Sequence, residues 1–310
     1  MLRRAGDFCT FAAMKKRDSE TETIILREPA TLLPFLFAYF AGRSRTTVKS
    51  YLAHRQVSVN GCITTQFDTP LRPGDRVKVD FGRAREAVSH PMLRIVYEDD
   101  DLIVIEKRNG LLSVATDKQI MRTAYSILSE HVKQQDPRNK IFVLHRLDRE
   151  TSGLMMFAKS EAVKVQIQSR WGQTVVERRY FAVVEGRVGQ ERGTVSTYLT
   201  ESRALKVYVT DREEGKPART DFRVLKRSAK NDVTLLELEL ETGRKNQIRA
   251  HMEHIGHPIV GDKKYGSRRS LIGRVALHAG VLSFIHPVTG KRLDFSTPIP
   301  QKFTALFDPD

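Results

Sequence analysis

The chain has 310 residues, enough for one large hydrophobic core and a small satellite domain. Its 40% hydrophobic and 29% charged residues are those of an ordinary globular protein, and no apolar run approaches the roughly 20 residues of a spanning helix, so no membrane partner is expected. Net charge is +15, which points to a polyanionic partner such as nucleic acid. The only two cysteines, Cys9 and Cys62, are too few for a disulfide framework or a zinc knuckle and fit a reducing cytoplasm.

Residues 1–22 are polar and of mixed charge. The apolar patch at 8–13 is too short for a signal-peptide core, and Met14 is a candidate alternative start. The expected division is a disordered tail over 1–26, a small basic unit over 27–82, a linker over 83–92 and a large domain over 93–310. In the basic unit, the apolar run 31–40 predicts a short helix with a proline near its first turn. Val48, Tyr51 and Leu52 at i, i+3 and i+4 mark a second helix. A strand and tight turn follow at Val57-Ser58-Val59-Asn60-Gly61, and a turn and strand at 71–79. Between residues 43 and 85 there are nine Lys/Arg and three Asp, a basic excess on a unit too small to be a catalytic core.

In the large domain, residues 93–107 read as two strands around the acidic turn Asp99-Asp100-Asp101, where turn chemistry is favoured over a metal site. Residues 121–135 have a helical pattern, with Ala124, Ile127, Leu128, His131 and Val132 on one face and His131 a helix-face residue. The most informative stretch is His145-Arg146-Leu147-Asp148-Arg149-Glu150-Thr151-Ser152-Gly153, which runs into the buried strand 154–158. Ser160 and Glu161 cap a helix over 162–170. Asp148 thus stands just before a core strand, beside a turn that glycine permits, with Arg146 and Arg149 favouring its ionised form. A structural Arg–Asp pair and a reactive carboxylate both fit this window. Tyr180 falls in the strand 175–186, where a core role and a functional one are both open. Residues 220–226 and 233–241 alternate as paired strands. Residues 241–262 run from turn to helix, with Ile248, Met252 and Ile255 on the buried face and Gly256 as C-terminal stop. On this pattern alone Arg249 is a solvated helix residue. His251 and His254 lie close together, but no third ligand completes a tetrahedral set, so no metal is expected.

The stretch HRLDRETSGLMMFAK resembles the signature of the RluA-type pseudouridine synthases. So do the segment 97–111, the strand Arg178-Arg179-Tyr180-Phe181-Ala182-Val183, the segment 242–262 and the closing strands at 277–300. Residues 43–79 resemble an S4-type RNA-binding module. The resemblance implies an α/β (α+β) fold, with a central mixed, largely antiparallel sheet and a small N-terminal S4-like module. The implied reaction is uridine-to-pseudouridine isomerisation, without cofactor or metal, on a base flipped out of folded RNA. It makes Asp148 the nucleophile, Arg249 its partner and Tyr180 a contact of the target base. Candidate RNA contacts are Arg43, Arg45, Lys49 and Arg55 in the basic unit, and Lys107, Arg146 and Arg244 in the catalytic domain. Ribosomal RNA of the large subunit is favoured over tRNA as partner, in the cytoplasm, with no obligate protein partner. The chain departs from the family pattern at Asn246, where His is usual, at Arg178 for Lys, and at Arg108-Asn109 for Pro and a small residue, so the loop 107–114 is expected to be more mobile. Two rivals are a non-catalytic RNA-binding or ribosome-assembly factor, which would have lost Asp148, Tyr180 or Arg249, and a nuclease, which would need clustered metal-binding carboxylates or paired histidines.

Overall fold

The computed structural model describes residues 21–53, 56–81, 90–115, 122–211 and 215–307. The chain divides into two compact units, Met1–Glu86 and Ala87–Asp310. Residues 1–20 of the expected tail, 83–89 of the expected linker, Arg55 and the start of the helix expected over 121–135 lie outside the described residues.

The first unit contains β1 (Thr21–Ile25), β2 (Ala30–Thr31), α1 (Leu32–Tyr39), α2 (Arg45–Ala53), β3 (Val57–Val59), β4 (Cys62–Ile63), β5 (Pro70–Leu71) and β6 (Arg76–Asp80). Strands β1, β6, β3 and β4 form an antiparallel sheet in that order, and β2 pairs with β5. The helix spacing does what its period requires: Leu32, Leu36, Val48, Tyr51 and Leu52 turn inward onto Val57, Val77 and Val79. Asn60 (φ 53°) and Gly61 (φ 84°) both take positive φ, the demand of a two-residue hairpin turn. The Asn60 amide donates to Asp75 Oδ1 at 2.8 Å, tying this turn to the one before β6. One expectation is corrected here. Residues 21–25 of the expected tail are strand: β1 pairs with β6, Ile24 opposite Val77, and Leu26 just after it is buried. It is an edge strand with most of its side chains in or near solvent, paired through its backbone to β6.

The second unit follows as β7 (Leu93–Glu98), β8 (Leu102–Lys107), α3 (Ala124–Gln135), β9 (Phe142–Val143), β10 (Ser152–Ala158), α4 (Glu161–Ser169), α5 (Trp171–Thr174), β11 (Val175–Glu185), β12 (Arg192–Glu201), β13 (Val207–Thr210), β14 (Lys216–Ser228), β15 (Val233–Leu240), α6 (Gln247–His254), β16 (Leu277–Ile285), β17 (Arg292–Ser296) and α7 (Gln301–Thr304). Its strands make one eleven-stranded sheet, β13-β12-β14-β15-β11-β16-β10-β8-β7, with β17 added on β16 and β9 on β10. The sheet is mixed and largely antiparallel, as expected; β10 and β16 run parallel. Alternation along β10 sends Met155 and Phe157 into the core shared with α3 and α6, and Leu154, Met156 and Ala158 into the core shared with α4. Covered on both faces, β10 is buried at every position, which is why its sequence is a continuous apolar run. Ser160 caps α4 by accepting from Val163 N at 3.2 Å. No helix among the described residues is long and apolar enough to cross a membrane.

Gly153 decides where β10 begins. Its φ is +117°, and a Cβ there would lie 2.1 Å from Ala279 O, so only glycine lets β10 close onto β16 directly after the Asp148 loop. Gly153→Ala is expected to cost about 2–5 kcal/mol, the sum of over-packing and positive-φ strain. Urea unfolding monitored by circular dichroism checks it; a variant as stable as the parent would remove this account of the turn.

Candidate active site

Asp148 ends a segment that leaves the core at Leu147 and re-enters it at Thr151, both buried, while its own side chain is about a quarter exposed. The segment is held from one side by the loop after β8. Ser113 Oγ donates to Leu147 O at 2.7 Å and accepts from Leu147 N at 3.2 Å. Gly110 N donates to Arg149 O at 2.7 Å. Lys107 is wholly buried beneath both segments, and its ammonium donates to Leu111 O (2.8 Å), Arg108 O (3.1 Å) and Arg149 O (3.4 Å). Burial lowers the Lys107 pKa to about 8, against the pull of Asp148 and Glu150. Lys107 therefore clamps two loops and is not a surface cation for RNA. The loop 107–114, which lacks the usual proline, is held by several hydrogen bonds. Besides these bonds, Arg274 Nη1 donates to Asn109 Oδ1 at 2.9 Å, and its Nη2 to Ser152 Oγ at 2.7 Å.

From the other side comes α6. Arg249, on its first turn, is buried, and its guanidinium forks onto the buried Asp262: Nε to Oδ2 at 2.6 Å and Nη2 to Oδ1 at 2.8 Å. The remaining nitrogen, Nη1, donates to Asp148 Oδ2 at 3.3 Å and lies 3.7 Å from Glu150 Oε2. The Tyr265 ring covers the guanidinium at 4.8 Å. Burial opposes the charge on Arg249, but the hydrogen bonds and charge of Asp262, with Asp148 and Glu150 added, raise its pKa above the ordinary arginine value. A second donor reaches the same carboxylate oxygen: Asn246 Nδ2 to Asp148 Oδ2 at 2.5 Å. The turn before α6 is fixed by Gln247, whose Oε1 accepts from Thr242 Oγ1 (2.7 Å) and Arg244 N (3.0 Å).

Two cavities meet at this carboxylate. The larger, about 1040 Å³, is lined by Tyr180, Leu277, Ile248, Arg178, Trp171 and the loop around Arg244, among others. The smaller, about 430 Å³, has Ser113, Glu150, Lys263 and Lys264 in its wall. Arg146, Leu147, Asp148, Asn246 and Arg249 line both. Tyr180 is buried on β11; burial raises its pKa, against the pull of the Arg178 charge and with a smaller push from Asp148, so the phenol keeps its proton. Arg146 and Arg244 are exposed at the rim, Arg244 anchored by Nε to Pro217 O at 3.0 Å.

The structure thus brings Asp148, Tyr180, Arg249, Arg146 and Arg244 to one place. Two contributors were missed as site residues, Asp262 and Asn246. Both sit in the 242–262 segment that carries the family resemblance; that segment was the only signal for them, because the burial of Arg249 is not legible in the helix pattern. In the first unit, Arg45 and Lys49 are exposed on α2, with Arg45 5.1 Å from the Phe37 ring. The guanidinium of Arg43 lies over Phe40, Tyr51 and Phe81, at 4.8 Å from the last, and bonds the Tyr51 hydroxyl. Several of the described histidines are engaged within the protein. His131 Nε2 lies 2.8 Å from Glu98 Oε2, and His251 sits between Thr220 Oγ1 (2.9 Å) and Thr197 Oγ1 (3.0 Å). Asp99, Asp101 and His286 do converge, with potential ligand atoms within 4.8 Å of one another. Asp99 Oδ1 accepts from Asp101 N and Leu102 N, and its Oδ2 from Tyr97 Oη (2.5 Å), with His286 Nε2 at 2.9 Å, so turn and cross-strand bonds account for the cluster.

The site is thus a partly exposed carboxylate, Asp148, held by a buried guanidinium where two cavities meet, with Arg146 and Arg244 at the rim. The sequence profile of the RNA pseudouridylate synthase family matches residues 101–254. The chain is 36% identical over 272 residues to the RNA pseudouridine synthase YlyB of Bacillus subtilis, covering 86% of this chain and 89% of that one. It is 32% identical over 286 residues to the ribosomal large subunit pseudouridine synthase D of Salmonella typhimurium, covering 87% of each. Human RNA pseudouridylate synthase domain containing 1 has the same fold: TM-score 0.54 at 27% identity, over 70% of this chain and 97% of that one. The chain belongs to the RNA pseudouridine synthase family, and it is an isomerase of that class.

Lys107 generates a prediction with a definite sign. Its folded pKa of about 8 lies below the ordinary 10.5, so between these values the unfolded chain holds a proton that the folded chain has released. The burial penalty is complete below pH 8 and is relieved as pH rises toward 10.5, by up to about 1.4 kcal/mol per pH unit. Lys107→Met carries no such group. Urea unfolding at several pH values should show the stability of the parent rising relative to the variant across this window; a constant difference would contradict the burial of the amine.

Proposed function

We propose that the protein isomerises specific uridines in structured large-subunit ribosomal RNA, with Asp148 as the nucleophile and the target nucleotide flipped out of its stack. The observation that carries this reading is the Asp148–Arg249–Asp262 array, an acid oriented by a charge that is itself immobilised. In the reaction, the bond from N1 of uracil to C1′ breaks, the base turns, and C5 bonds to C1′. The proton on C5 is lost and N1 gains one, so no atom is added or removed. Attack by the acid, at C1′ or at C6, needs an ionised oxygen kept from bulk water. Arg249 keeps the negative charge in place without lending a proton of its own. Tyr180, protonated and lining the cavity, supplies a stacking surface and a hydroxyl donor to the base. Unstacking a uridine costs a few kcal/mol, roughly, which phosphate contacts must offset. Arg146 and Arg244 at the rim, and Arg149, Lys263 and Lys264 around the smaller cavity, are placed for that role.

Ribosomal RNA is favoured over tRNA because several relatives at 32% identity carry large-subunit names, among them those of Salmonella typhimurium and Vibrio parahaemolyticus. The first unit is read as an S4-type module that adds phosphate contacts through Arg45 and Lys49, and an exposed free thiol at Cys62 suits a reducing cytoplasm. A non-catalytic RNA-binding role is disfavoured by the fully assembled acid.

Two outcomes are expected. Asp148→Asn, with the same size and no charge, abolishes pseudouridine formation in total RNA while RNA affinity is kept; a variant with normal turnover would end the assignment. Replacing Arg45 and Lys49 by Ser lowers the salt dependence of RNA affinity, by about 0.7–0.9 in log–log slope for each phosphate no longer neutralised, and leaves turnover in saturating RNA unchanged. Filter binding from low to high salt decides it, and an unaltered slope would take the first unit off the RNA.

A further inference from the structure

The two oxygens of Asp148 are not equivalent. Oδ2 accepts from Asn246 Nδ2 at 2.5 Å and from Arg249 Nη1 at 3.3 Å, whereas Oδ1 accepts no hydrogen bond among the described residues. Of the two donors, the amide is the closer by 0.8 Å. The opposite flip of the amide would set its carbonyl oxygen against the carboxylate, a contact of two acceptors, so the N–H orientation is imposed by the site.

Asn246 can make this bond because of its backbone. It precedes α6 in the left-handed conformation, φ 50° and ψ 22°, and its side chain does not cap the helix. Asparagine is one of the few side-chain-bearing residues that enter this region readily, and it carries a short amide donor. The position therefore makes two demands, left-handed backbone and a neutral donor within reach of Asp148, and asparagine meets both. The imidazole usual in the resembling sequences would have to reach the same oxygen with a ring.

We infer that Asn246 is a positioning residue for the isomerisation: with Arg249 it ties down Oδ2 of Asp148 and leaves Oδ1 as the oxygen that attacks the substrate. This rests on Asp148 being the nucleophile. A carboxylate pinned through one oxygen by charge-assisted bonds loses rotation about its terminal bond. Oδ1 is then presented in one orientation to whatever occupies the cavities that Asp148 lines, without reorganisation during the reaction.

Glycine and aspartate separate the backbone demand from the donor demand. Asn246→Gly adopts the left-handed backbone without strain but has no amide, so its thermal unfolding temperature should equal or exceed the parent's, with KM for the RNA unchanged and kcat lowered on the order of 10–100-fold. Asn246→Asp keeps size and backbone preference but sets a second negative acceptor against Asp148, and its kcat should fall further than that of the glycine variant. The measurements are single-turnover and steady-state kinetics on an RNA substrate, with thermal unfolding of the full chain alongside. Parent-like kcat in Asn246→Gly overturns the inference, and so does a loss of kcat matched by a loss of stability, which would make the residue merely structural. If Asp148→Asn is inactive while Asn246→Gly is fully active, only this inference falls; an active Asp148→Asn would remove the reading on which it rests.

Discussion

A guanidinium taken out of water must have its N–H groups satisfied, and in this protein that requirement builds the site. Asp262 takes two nitrogens of Arg249 in a fork, and the one left over points at Asp148. One of the two donors that hold Asp148 is therefore a consequence of solvating a buried charge; the other is the Asn246 amide. Such a pair contributes little net stability against an apolar replacement, but removing one partner leaves an uncompensated charge and costs about 3–5 kcal/mol. Asp262 is thus as necessary to the geometry as Arg249, although it does not touch Asp148.

The sheet supplies the second half of the construction. Strand β10 lies between β8 and β16 and is buried throughout, so the segment just before it inherits a rigid base. The close approach at Gly153 fixes where the chain enters that strand, and the Lys107 clamp, with Ser113 and Gly110, fixes the loop on the other side. Asp148 is held by backbone anchors on both flanks and by side-chain donors at its tip. A reactive group on a loop needs this kind of support to be placed to a fraction of an ångström. The cost of burying the Lys107 ammonium shows in its lowered pKa and is partly offset by three carbonyl acceptors.

The cations divide into those that hold the protein and those left for a polyanion. Lys107, under the Asp148 loop, serves the fold, and Arg43 lies over three aromatic rings while itself exposed. Arg45, Lys49, Arg146 and Arg244 remain at the surface. A net charge of +15 indicates a polyanionic partner but cannot sort its own residues into these groups, because a side chain's neighbours are set by tertiary contacts.

Much of the fold was legible in the chain itself. The apolar run 154–158 and its glycine announce a central strand. The spacing of Ile248 and Met252 announces the helix that carries Arg249, and Asn60-Gly61 announces a hairpin. These signals are local, set by side-chain period and by the φ values that turn residues permit. The placing of Asp148 before a core strand was readable for the same reason, and its suspected role came from the ordered motif around it. The resemblance had named Arg249, 101 residues away, as the partner of that acid; only the tertiary structure decided that Asn246, 98 residues away, meets it more closely and that Asp262 holds Arg249. It also decided that residues 21–25 form an edge strand, through pairing with β6 about fifty residues later. Such partners follow from strand order and from the balance of buried charges, which depend on every element of the sheet at once and leave no periodic trace in the sequence.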